Sequence, residues 1–306
     1  MRFRLQPWQS LILLAIAIAA LLYGIDSYRH RFVRNEGDLL SLLPARTETV
    51  FFVDVAALRR AGLLRLLAGA KPAKERDYDT FVQAAGLDYT RDLDSLAGAT
   101  DTEELFFTLR GRFDWDRLRE YVRNHGGSCP SDFCEIATSQ PERWASFLRI
   151  QPDVIGLAVS RNRRAAEALR PPGKRSHQPA VNEPVWVSVS RGSIRRLSLV
   201  PGIGMFAQAL ASAEEVVLAL TRAQGNEQNA LNLLLQAAFA DEASAEAARN
   251  QLRLDTKLLK LELARERRRP NPGDLTGLLT SGSFEVVNRQ VVGVWPIRKE
   301  LLANLQ

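Results

Sequence analysis

Ser146-Phe-Leu-Arg-Ile-Gln-Pro-Asp-Val-Ile-Gly-Leu-Ala-Val159 lines up with Ser283-Phe-Glu-Val-Val-Asn-Arg-Gln-Val-Val-Gly-Val-Trp-Pro296 at a constant offset of 137 residues. Each stretch is a run of strand-forming residues, a short polar turn and a second run with one glycine. Each is followed by a basic-started helical pattern, Arg161 to Leu169 and Arg298 to Leu305. Further back, Leu109-Arg-Gly-Arg-Phe113 matches Leu235-Gln-Ala-Ala-Phe239 at an offset of 126, and each leads into a helix opened by an acid, Asp114 and Asp241. Earlier still, Phe52-Val-Asp-Val55 resembles Trp186-Val-Ser-Val189 at an offset of 134. Three matches in one order, with offsets that differ by plausible loop insertions, predict an internal duplication.

Periodicity gives each unit the same outline. The first unit has a strand at 49–55, helical pattern at 57–69 and 74–86, and strands at 94–100 and 104–111. A helix from Asp114 to His125 and strands at 133–138, 144–150 and 153–159 follow. The second has a strand at 184–190, a helical stretch at 192–212 and strands at 214–222 and 230–239. A long helix from Asp241 to Arg267 and strands at 279–287 and 290–296 close it. The expected class is α+β: two related β-α-β-β-α-β-β units with mostly antiparallel sheets and helices packed on one face. The expected organisation is an N-terminal tail and transmembrane anchor over 1–26, a tether over 27–42, a first unit over 43–170, a proline-rich linker over 171–183 and a second unit over 184–306.

Trp8 to Ile25 contains no charge in 18 residues and spans roughly 27 Å as a helix, close to the hydrocarbon thickness of a bilayer. Trp8 and Tyr23 lie near its ends, where amphipathic rings favour the interface. An uncleaved, single-pass anchor is expected. The alternative is a cleaved signal peptide, but its A-x-A sites, Ala15-Ile16-Ala17 and Ala17-Ile18-Ala19, would cut inside the apolar run. Arginines flank the segment on both sides, so positive charge does not decide orientation. A short tail before a large body is the layout of a signal anchor with the body exported.

The cysteines bear on the same question. Cys129-Pro-Ser-Asp-Phe-Cys134 carries turn formers between its ends, and a turn brings the two within disulfide range. A local disulfide suits an oxidising compartment. Two free thiols, or a zinc site built from His125, Cys129, Cys134 and Asp132, are the alternatives.

Composition excludes more than it assigns. With 46% hydrophobic and 25% charged residues the chain is globular, not disordered. Of its net charge of +6, residues 1–34 hold +4, so the body is nearly neutral. Arginines outnumber lysines heavily, which reads as genome composition, and no nucleic acid is expected as a partner. One basic cluster, Arg161, Arg163, Arg164, Arg170, Lys174 and Arg175 against Glu167, is a candidate contact for an anionic surface. A second, Arg265 with Arg267, Arg268 and Arg269, reads as a solvated loop. No catalytic, cofactor-binding or metal-binding residues are assigned. Asp54 reads as a strand-end or helix-opening residue, and no partner carboxylate is placed beside it by sequence. Glu103-Glu104 and Glu214-Glu215 read as polar strand starts, since adjacent strand residues point to opposite faces. Gly202-Ile-Gly204-Met-Phe-Ala207 has the spacing of a dinucleotide fingerprint but follows a poor strand and a proline, so it reads as close packing. His30, His125 and His177 are isolated from one another.

Leu42-Leu-Pro-Ala45-x-Thr47-x-x-Val50-Phe-Phe-Val-Asp54, together with Gly126-Gly127-x-Cys129 and Phe133-Cys134, resembles a group of bacterial membrane-anchored, extracytoplasmic proteins of unknown function. The resemblance implies a single-pass protein of the bacterial inner membrane with an exported α/β body; it transfers no catalytic residue. The expected function is therefore a membrane-tethered binding or scaffold module, held to the bilayer through residues 8–25, with an envelope protein, lipid or polymer as partner. The alternative is a carrier of an apolar or lipid ligand in a pocket between sheet and helices. An enzyme with a site assembled around Asp54 or the paired glutamates is a third, weaker expectation.

Overall fold

The computed structural model describes residues 33, 35–45, 47–64, 82–100, 103–169, 181–197, 204–222 and 231–304. The anchor expected over 8–25 lies outside them, and no described helix is long and apolar enough to cross a membrane.

The first half runs α1 (Glu36–Ser41), β1 (Thr49–Val53), α2 (Val55–Arg60), α3 (Tyr89–Asp92), β2 (Leu93–Thr100), β3 (Leu105–Gly111), α4 (Trp115–Asn124), β4 (Phe133–Ala137), β5 (Trp144–Gln151), β6 (Val154–Ser160) and a 3-10 turn at Ala165–Leu169. The second runs β7 (Val185–Ser190), α5 (Arg191–Leu197), α6 (Gly204–Ala209), β8 (Glu215–Arg222), β9 (Leu231–Ala238), α7 (Glu242–Arg265), α8 (Leu275–Thr280), β10 (Ser283–Val287), β11 (Gln290–Ile297) and α9 (Lys299–Asn304). Acids open the helices as their sequence positions require. Asp54, Asp88, Asp114, Asp241 and Asp274 each accept a main-chain N–H at the start of α2, α3, α4, α7 and α8.

All the strands join one antiparallel sheet in the order β10-β11-β9-β8-β7-β1-β2-β3-β6-β5-β4. Outward from the centre the order is 1-2-3-6-5 on one side and 7-8-9-11-10 on the other. The halves therefore share one topology, and β4 extends the first. Their first strands, β1 and β7, pair with each other, and Phe52 lies directly opposite Trp186. These two residues are also matched in the sequence repeat, so the local two-fold relation passes between them. Their rings are near-parallel, 6.3 Å apart.

One detail of the repeat shifts. The sequence match sets Phe147 against Phe284, but Phe284 faces Gly293 while Gly156 faces Leu148. Leu148 is thus the equivalent of Phe284. An irregularity between Arg149 and Gln151 absorbs the extra residue. The Phe284 ring also sits where a side chain on Gly293 would be, within 2.9 Å of a Cβ built there. Phe51 crosses Gly98 in the same way.

Alternation splits each strand between two faces. One face carries Phe52, Ala97, Phe106, Leu148, Val154, Ala158, Trp186 and Ala219, packed under Leu39, Leu40, Leu42 and Leu43 and under Ala165, Ala166 and Leu169 of the 3-10 turn. On the other face α4 covers Ile155 with Trp115, Leu118 and Val122. In the second half α5, α6 and α7 cover Val189, Val216, Leu235 and Val291 with Ile194, Phe206, Ala245, Ala248 and Leu252. The outer face of α7 shows Leu254, Leu258 and Leu261, all exposed.

Five expectations change. The helices expected on one face cover both, since α1 and the 3-10 turn lie on the face of Phe52 while α4 to α7 lie on the other. The tether expected over 27–42 gives way at Asn35 to α1, whose Leu39 is fully buried. The start of the strand expected at 279–287 is helical, because Asp274 opens α8 and β10 begins at Ser283. Within the helical stretch at 192–212, α5 ends at Leu197 and α6 begins at Gly204. The two units do not have separate sheets; one sheet runs through both. Most of the expected linker, residues 171–180, lies outside the described residues, as do residues 65–81, which carry parts of the helical pattern expected at 57–69 and 74–86.

Candidate functional site

A cavity of about 570 Å³ opens at the seam between the halves. Its position follows from the topology. The end of β1, the start of β7 and the Arg222–Leu231 end of the β8–β9 ladder converge there, and α2 roofs it. Phe52, Leu58, Leu63, Leu220 and Leu231 give it apolar walls, with Ala57 and Ala61 between them. Glu36, Asp54 and Glu183 add carboxylates, and Asn182, Thr221 and Arg222 complete the rim.

Glu36 reaches the cavity from α1. Asn35 opens that helix with a reciprocal cap, accepting from the Asp38 N–H at 2.9 Å while its own N–H donates to the Asp38 carboxylate at 3.1 Å. The first turn is thereby fixed, and Glu36 Oε1 accepts the Trp186 indole N–H at 2.8 Å. Burial raises the Glu36 pKa; the indole bond opposes this, and the nearby Asp54 charge adds to it. Asp54 is held on both sides. Its Oδ1 accepts the Ala57 N–H at 2.7 Å, and its own N–H donates to the Pro184 carbonyl at 2.7 Å. Among the described residues, no ion pair joins Glu36, Asp54 or Glu183 to a cation. Arg59 of α2 instead donates to the Thr90 and Leu93 carbonyls and pairs with Asp94.

The structure thus keeps the helix-opening role read for Asp54 and adds a carboxylate beside it. Glu36 falls within 27–42, the stretch whose sequence reads as a tether. The signal was present, since Asn35-Glu-Gly-Asp38 has the spacing of a helix start.

The other sequence candidates lie elsewhere. Glu103 pairs with Arg161 at 3.8 Å, and Glu104 accepts the Ser160 hydroxyl at 2.6 Å. Glu215 accepts the Ser188 hydroxyl. Of the first basic cluster, Arg163 lies 3.7 Å over the Trp144 ring, and Arg164 binds both oxygens of Glu167 and covers Phe133. Arg170, Lys174 and Arg175 lie outside the described residues. In the second cluster, Arg265 pairs with Glu262 and Arg268 with Glu266. Gly204 to Ala207 are helical in α6, with Phe206 buried, and Gly202 lies outside the described residues.

Cys129 and Cys134 form a disulfide, buried against α4. This overturns the free-thiol and zinc alternatives, because both sulfurs are consumed. Closing so short a loop stabilises the fold by roughly 2 kcal/mol in the chain-entropy model. His125 is instead bonded through Nδ1 to the Tyr121 carbonyl at 2.8 Å. His30 and His177 lie outside the described residues.

No protein-family model matches the chain, and no curated protein matches it. Among solved structures, crystal form I of TP0453 is similar over 89% of this chain and 98% of that one, with a TM-score of 0.50 and 12% identity. Crystal form III of the same protein aligns with a TM-score of 0.47 and 11% identity, over 86% of this chain and 95% of that one. The likeness to form I is one of fold.

Proposed function

We propose that the protein is a membrane-tethered binding module of the bacterial envelope, with its body outside the cytoplasm and its ligand held in the seam cavity. The uncharged stretch at 8–25 supports the tether, and the Cys129–Cys134 disulfide suits an oxidising compartment. One observation carries the binding function. The cavity has the volume of a small-molecule site, apolar walls and a few convergent polar groups. It also lies where the two halves meet, as ligand sites commonly do at domain junctions. This favours the carrier of an apolar or amphipathic ligand over a scaffold that works through its outer surface.

The test is a titration of the detergent-solubilised full chain with the neutral fluorophore N-phenyl-1-naphthylamine. Saturable uptake at one site is expected, and Leu58→Trp, which fills the cavity from α2, should abolish it while the far-ultraviolet circular dichroism stays unchanged. Absence of saturable uptake, or uptake that survives Leu58→Trp in a folded protein, would overturn the assignment.

A further inference from the structure

We infer that the seam cavity selects an amphiphile bearing a protonated amine, with its chain on the leucine wall and its ammonium between Glu36 and Asp54. The inference rests on the cavity being the binding site. It concerns the chemical class of what the cavity holds.

The charges on the cavity wall set the sign. Among the described residues that line the cavity, Glu36, Asp54 and Glu183 stand against one cation, Arg222, a formal excess of two negative charges in a chain whose net charge is +6. Arg222 is exposed at the outer end of the ladder, whereas Glu36 is half-buried beside Phe52 and Trp186. An anionic head group would therefore meet repulsion at the depth where desolvation makes it strongest. A cation there relieves the repulsion that the Asp54 charge exerts on Glu36.

The donors and acceptors point the same way. The Trp186 N–H occupies one lone pair of Glu36 Oε1, and the Ala57 N–H occupies one of Asp54 Oδ1. The second oxygen of each carboxylate has no hydrogen bond among the described residues. An ammonium group carries three donors and no acceptor, which suits a site of acceptors.

The walls exclude a bare metal ion as the better fit. Calcium takes six to eight oxygen ligands at short range. Here the carboxylates come from separate segments, around a space of about 570 Å³ faced by Phe52, Leu58, Leu220 and Leu231. That space suits a hydrocarbon chain attached to the charge.

Competition against bound N-phenyl-1-naphthylamine tests this with three probes of equal chain length: dodecylamine, dodecanol and dodecanoate. Dodecylamine should displace the fluorophore at a concentration about tenfold or more below that of dodecanol, and dodecanoate should be the weakest, as charge-assisted hydrogen bonding requires. The double variant Glu36→Gln with Asp54→Asn keeps an acceptor for Trp186 and a helix-opening residue. It should lose the preference for the amine, read within the variant itself as the ratio of the dodecylamine to the dodecanol concentration that displaces the fluorophore. Equal displacement by amine and alcohol in the native protein would overturn this inference and leave the cavity assignment standing. An amine preference that survives in the double variant would overturn the role of the two carboxylates. Failure of the fluorophore to bind would instead remove the cavity assignment itself.

Discussion

Asp255 shows how the fold treats a charge it does not use at its surface. It lies on the buried face of α7 at 3% exposure, with Oδ1 accepting from the Gln251 amide at 2.7 Å and Oδ2 without a hydrogen-bond partner. Burial raises its pKa, and the Gln251 bond only partly opposes this. A carboxyl with a raised folded-state pKa binds its proton more tightly in the native protein than in the unfolded chain. Its charge therefore opposes folding at neutral pH, and that opposition fades as pH falls through the raised value. Asp255→Asn should accordingly raise stability at pH 7 by about 1 kcal/mol, the scale of an unpaired buried polar group. Urea titrations of both proteins should converge as the pH is lowered toward the ordinary carboxylate range. A variant less stable than the native protein at pH 7 would contradict this. Asp92 is the opposite case. It is buried but held by Arg91, Arg112 and the Asp88 N–H, and the Arg91 bond leads in lowering its pKa. Its stabilising contribution is present above the ordinary carboxylate range and is lost as pH falls through the depressed value.

Among the elements, α1 matters most for the site. Its six residues bury Leu39 and Leu40 and carry Glu36 to Trp186, and Thr108 of β3 donates from Oγ1 to the Leu39 carbonyl at 3.0 Å. Leu39→Ala should destabilise the protein by about 3 kcal/mol, since the site is fully buried and packed from several sides. The change should appear as a lower denaturation midpoint; a loss under 1 kcal/mol would mean that α1 is not docked as described. This element was not legible as a helix, because six residues are too few to establish a 3.6-residue period. The same holds for α3 and α8. What could have been read were their caps, Asn35, Asp88 and Asp274, each with a short polar residue at the right spacing. The long α7 and the strands of both hairpins were legible because their periodicity runs over many residues. The carboxylate pair of Glu36 and Asp54 was not, because it depends on two segments meeting at the seam.

For the molecule as a whole, the repeat in the sequence carried the architecture further than any motif did. Matching Phe52 to Trp186 by their flanking residues identified the equivalent strands, but not that those strands pair with each other. That pairing makes one sheet of two halves and buries both aromatics in a shared core with Ala97 and Ala219. It also leaves the space at the strand ends where α2, Glu36 and the β8–β9 ladder meet. The junction of the two halves thus has a feature that neither half has alone. The helices covering the sheet differ between halves, and among the described residues the cavity's carboxylates lie beside the leucine wall at the end where α2 packs. A crystal structure of the delipidated full chain with dodecylamine would show whether this junction holds a ligand. The expected result is hydrocarbon along Leu58 and Leu220 with the nitrogen about 3 Å from an oxygen of Glu36 or Asp54, the distance of a charge-assisted hydrogen bond. Dodecylamine bound only elsewhere, with the seam cavity unoccupied, would contradict it.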